Sequence, residues 1–133
     1  MPTFQLKRRV LWHSIGVAIV ALVWYLSLTS APIRVGLPFF DKATHMLAYL
    51  TQTLWYLQLY RKHSKRVLIG LAFIVMGLVI EYIQSFHPMR YFDIADMLAN
   101  TLGVVTAYLL SYTPVGRFLF WCEQCLNRHR PNA

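Results

Sequence analysis

Acidic side chains are scarce in this chain. Five Asp and Glu residues stand among 133, against thirteen Lys and Arg. Charged residues of both signs make up only 14% of the sequence, where a soluble globular domain carries ~25%. Several long stretches hold no formal charge at all, which excludes an ordinary soluble fold of this length. Cysteine is rarer still: Cys122 and Cys125 are the only two, too few for an extracellular disulfide framework. No nucleic-acid motif accompanies the net charge of +8, and the basic residues bracket apolar runs. That bracketing is the signature of membrane topology, so no nucleic-acid partner is expected. Internal repeats and low-complexity segments are absent, leaving a single membrane domain over residues 1–133.

What is present is 57% hydrophobic and organised in runs of membrane length. A basic lead, Phe4 to Arg9, precedes an uncharged run from Val10 to Thr29, about the ~20 residues needed to span a bilayer. Thr29-Ser30-Ala31 offers a weak signal-cleavage pattern, but the run exceeds the ~7–15 residues of a signal core and is read as a helix. Pro32, Gly36 and Pro38 mark a loop, after which Asp41 is placed to cap a second helix. Spans are expected at about 10–29, 43–60, 67–86 and 94–112, the last capped by Asp93. Gly70 and Gly77 offer close helix contacts. Thr113-Pro114 ends the fourth span, and an amphipathic segment over 115–129 sets Phe118, Cys122, Cys125 and His129 on one face. That face suits a membrane surface or packing on the bundle. The fold class is therefore all-α: a polytopic membrane protein of four transmembrane helices plus a short C-terminal amphipathic helix.

Lysine and arginine set the orientation. With the N-terminus inside, only Arg34, Lys42 and Arg90 fall outside, so both termini are expected in the cytoplasm. This orientation gathers Asp41, Glu81, Asp93 and Asp96 at the outer ends of helices two, three and four. At ~1.5 Å per residue, His45 and Glu81 lie ~22 Å from the inner ends of their helices, Asp96 ~24 Å and Asn100 ~18 Å. All four share the outer third of a hydrocarbon core ~30 Å thick. Asp93, Asp96, Asn100, Gly103 and Ala107 form one stripe, Asp41, His45, Ala48 and Gln52 another beside Tyr49, and Gly77, Glu81 and Gln84 a third. Lipid cannot satisfy such groups, so the stripes are expected to face one another and enclose a polar pocket.

The segments Asp41-Lys42-x-x-His45-x-x-x-Tyr49, Glu81-x-x-Gln84 and Pro88-x-Arg90-x-x-Asp93-x-x-Asp96-x-x-x-Asn100-x-x-Gly103 resemble the VanZ-like family of small bacterial membrane proteins. The resemblance runs from helix two through helix four. It implies a multi-pass protein of the bacterial inner membrane with a shared polar site. The family is named for a member associated with resistance to the glycopeptide teicoplanin, a role the resemblance does not transfer.

The binding candidates are Asp41, Lys42, His45, Tyr49, Glu81, Gln84, Arg90, Asp93, Asp96 and Asn100. Arg90 has the planar fork that grips phosphate or carboxylate, and His45, Glu81 and Asp96 are candidates for proton transfer. The expected partner is a membrane lipid or a lipid-linked cell-wall precursor, recognised by its head group and open to chemical transformation there. The rival reading is a non-catalytic scaffold or accessory subunit whose polar cluster is interhelical glue, with a second copy or another membrane protein as partner. His45, Glu81, Asp93 and Asp96 are acceptable metal ligands by type, but no tight pattern such as HExxH is present, and neither metal nor cofactor is assigned. Cys122 and Cys125 form a lone CxxC without a second ligand pair, so packing is preferred to redox or zinc chemistry.

Overall fold

The computed structural model describes residues 6–29 and 39–128. The proline-marked loop before Phe39 and His129 lie outside them. Within them are five α-helices and no strand: α1 Arg9–Leu28, α2 Phe40–Leu59, α3 His63–Gln84, α4 Ile94–Leu110 and α5 Phe118–Arg128, the last preceded by a 3-10 turn at Pro114–Arg117.

Membrane-length character is unevenly shared. By length and composition α1 and α3 can each cross a bilayer, whereas α4 qualifies only together with Pro114–Arg128, which bends away by 77°. Four spans are therefore not evident from apolar length alone. The shortfall in α2 has a physical cause. Its 20 residues reach ~30 Å, but Tyr49, Gln52 and Thr53 are buried against its neighbours, so its average polarity misstates the surface it offers outward.

Helix α2 is the hub, packing most closely on α4 and also on α1 and α3. Small residues make these approaches. A Cβ on Gly77 would stand 3.2 Å from Asn100 Nδ2 and 3.4 Å from the Tyr49 ring, while one on Gly70 would meet Val104 at 3.6 Å. Gly103 is tighter, because its missing Cβ would overlap the Met46 carbonyl oxygen of the facing helix.

The helix ends correct one expectation. Asp93 caps α4 by accepting from the Ala95 amide at 2.8 Å, as anticipated. Asp41 does not cap α2: the helix starts at Phe40, after Phe39 in the left-handed conformation, and Asp41 sits in its first turn with its carboxylate turned to other partners.

The C-terminal helix packs on the bundle, by a different face from the one its spacing suggested. Leu119 and Glu123 are buried and Cys122 is half-buried, whereas Phe118, Trp121 and Cys125 stay exposed. Leu119 closes an apolar cluster with Trp12 and Leu59, and its amide donates to Gln58 Oε1 at 2.9 Å. Glu123 holds the start of α1. Its carboxylate accepts from the amides of Lys7 at 2.8 Å and Arg8 at 2.6 Å, and from the Trp12 indole at 3.3 Å. Burial pushes this carboxyl upward, but the Arg8 and Lys7 amides, the indole and the Arg8 charge outweigh it, leaving it below the usual glutamate range. A depressed pKa contributes stability above the unfolded value and loses it as pH falls through the folded one. Glu123→Ala should cost about 2–3 kcal/mol in unfolding measurements. Acidification below the ordinary glutamate range should release the same contact, seen as a shift of the Trp12 indole proton signal.

Candidate functional site

Helical spacing sets the site's geometry. Asp41 and His45 are four residues apart on α2, and Asp96 and Asn100 four apart on α4, so each pair forms one edge of a single face. Gly103, one turn further along α4, brings those two edges together. Lys42 Nζ lies 2.5 Å from Asp93 Oδ2, hydrogen-bonds Asp96 Oδ1, and stands 3.4 Å from Asp41 Oδ2. The remaining oxygens turn the other way: Asp41 Oδ1 and Asp96 Oδ2 each lie 3.8 Å from His45 Nε2. His45 Nδ1 is 3.1 Å from Asn100 Oδ1. Because an amide oxygen only accepts, Nδ1 is the donor in that bond, and a neutral His45 then presents its Nε2 lone pair to the two carboxylates.

Beneath this charged mouth the polar residues are deeply buried. Glu81 is 1% exposed; its Oε2 accepts from the Asp93 amide at 3.4 Å, and its Oε1 has no hydrogen-bond partner among the described residues. The Tyr49 hydroxyl, both amide atoms of Gln52 and the Thr53 hydroxyl are likewise buried without partners there. Such groups cost several kcal/mol each in hydrocarbon, so a bundle held together for stability alone gains little by keeping them. At the rim, the hydrogen bond from the Lys42 ammonium, with that from the Ala95 amide, holds the Asp93 carboxyl below the usual aspartate range.

Not every sequence candidate joins the cluster. Arg90 and Gln84 both donate to the Ser27 carbonyl at 2.6 Å, tying down the last turn of α1. The cation in the ion pairs is Lys42; Arg90 completes a helix C-terminus, where positive charge is favoured. Two shallow surface grooves lie elsewhere, one beside Arg9, His13 and Val17 and the other, of about 360 Å³, beside Gln58, Tyr60 and Lys65. At the mouth of the polar stripes, Lys42 spans the gap between α2 and α4. Glu123 and Ser27 were missed from sequence. Glu123 carried one signal, as the lone acidic residue in the basic end of the chain; a backbone acceptor such as Ser27 carries none.

The fold and its site define a class: a small, all-helical protein with apolar helices compatible with a membrane and an acid-rich cluster at one end of its bundle. The VanZ/LLP1 family model matches residues 4–119, and the chain belongs to that family. An uncharacterized protein of the fission yeast Schizosaccharomyces pombe is 32% identical over 111 residues, covering 81% of this chain. The match spans 65% of the yeast protein's length. That relative is eukaryotic, so the resemblance does not by itself tie the chain to a bacterial membrane. No solved structure matches.

Proposed function

We propose that this is a four-span membrane protein, both termini cytoplasmic, whose polar cluster lies near the opposite face and binds the head group of a membrane lipid or lipid-linked precursor. Helices α1 and α3 supply two apolar spans; α2 and α4 complete the bundle by turning their polar stripes toward each other. The carrying observation is that exposed charged side chains and buried, unpartnered polar atoms occur on the same helical stripes. The Asp41 side chain is 69% exposed and that of Lys42 31%, while Tyr49, Gln52 and Glu81 below them retain unpartnered polar atoms. A head group entering at the mouth would exchange with the Lys42 contacts and offer partners to those atoms.

The scaffold reading draws support from one observation, the ion pairs of Lys42 with Asp93 and Asp96, which join α2 to α4. Native mass spectrometry of protein released from lipid separates the two. Asp96→Asn should lower retention of a polar lipid by about tenfold, the worth of one charge-assisted contact, whereas Leu98→Ala on the exposed face should not. Equal retention by wild type and Asp96→Asn would leave the scaffold reading in possession.

A further inference from the structure

We propose that Asp41, His45 and Asp96 form a binding site for a divalent first-row transition-metal ion, Mn²⁺ or Zn²⁺. One possible ligand atom from each residue lies within 4.8 Å of those of the other two. Asp41 Oδ1 and Asp96 Oδ2 each stand 3.8 Å from His45 Nε2. Ligands bound at ~2.0–2.2 Å are separated by roughly 3–3.5 Å, so the tripod needs to close only modestly around an ion. An imidazole nitrogen with two carboxylates suits borderline Zn²⁺, and Mn²⁺ through its carboxylates, better than Mg²⁺ or Ca²⁺, which prefer all-oxygen sites.

Three further features point to a cation. Each of Asp41 and Asp96 divides its oxygens, one to the Lys42 ammonium and the other to the His45 side of the cluster. Asn100 holds His45 through Nδ1, the outer-shell bond that orients a metal-binding imidazole and directs Nε2 inward. Independently of these, Glu81, whose other oxygen accepts from the Asp93 amide beside the cluster, brings a carboxylate oxygen that is buried and unpartnered. Counted formally, Asp41, Glu81, Asp93 and Asp96 against Lys42 leave an excess of three negative charges, which a divalent ion reduces to one. An acid-rich site that repels a phosphate when metal-free can then take one as a ligand of the ion. The inference deepens the head-group reading and names how a cluster with so little free positive charge would accept an anionic group.

The test uses purified full-length protein in detergent, stripped with chelator and re-equilibrated with Mn²⁺ or Zn²⁺ in the absence of added lipid. Elemental analysis should find about one ion per wild-type chain, and bound Mn²⁺ should lose its free-ion paramagnetic resonance signal. His45→Gln and Asp96→Asn should weaken binding at least ~10-fold, and Asn100→Ala by ~10–100-fold through loss of the orienting bond. A Cys122→Ser, Cys125→Ser double variant should bind as wild type does, which removes thiol capture of zinc as an explanation. Circular dichroism identifies variants that fold, and only those are compared. Binding no tighter in wild type than in His45→Gln overturns the metal site, as does preference for Ca²⁺ or Mg²⁺. If lipid retention still depends on Asp96 in that case, the head-group reading survives alone.

Discussion

Gly103→Ala should destabilise the bundle by ~3 kcal/mol or more, at or beyond the upper end of ordinary overpacking costs. The added methyl would overlap the Met46 carbonyl oxygen and press on the Leu50 amide, both backbone atoms of α2 that no rotamer change can move. The helices must separate, and that separation pulls Asp96 and Asn100 away from Lys42 and His45. Gly70→Ala is the matched control. There the new methyl meets only Val104 at 3.6 Å, an ordinary contact, and helix propensity favours alanine by ~0.5–1 kcal/mol. Unfolding in mixed micelles should show Gly103→Ala far below wild type and Gly70→Ala level with it or above.

Lys42→Met should produce the second large effect, a loss of about 2–3 kcal/mol. Removing one partner of a fully buried pair costs ~3–5 kcal/mol, and the 31% exposure of the Lys42 side chain calls for a discount toward the surface value. The cause is the pair of carboxylates left behind, with Asp96 only 9% exposed. Adding Asp96→Leu to Lys42→Met should recover most of the loss, because the double variant leaves no buried charge at that position. Acid should act on the same contact. The Asp93 carboxyl is held below its usual range, so its contribution persists above the unfolded pKa and disappears as pH falls through the folded one.

The helices were legible in the sequence because apolar runs of ~20 residues and their punctuation follow local rules. Asp93 announced the start of α4 by residue type and position alone. The i, i+3, i+4 spacing of Asp96, Asn100, Gly103 and Ala107 identified a face that is buried throughout. Partner choice was less legible, since it depends on how far a side chain reaches between helices. Lys42 and Arg90 are equivalent cations on a depth map, yet Lys42 meets the carboxylates and Arg90 caps α1. Glu123 shows the same limit at the other end, where its partners lie 115 and 116 residues away in the chain. The docking face of α5 differs from the Phe118, Cys122, Cys125 and His129 face that helical spacing suggests, because the helix turns the Glu123 carboxylate inward to meet the amides of Lys7 and Arg8 before α1.

On the head-group reading proposed above, the buried polar cluster is kept for a ligand and not for stability. The most direct measurement is the polar lipid that co-purifies per folded molecule of Glu81→Gln. Glu81 contributes one 3.4 Å hydrogen bond and an unpartnered buried oxygen, so the neutral amide should leave the unfolding midpoint unchanged or raised. Retained lipid should nevertheless fall by about tenfold. A lowered midpoint with lipid retention equal to wild type would contradict the claim and make the cluster a structural brace.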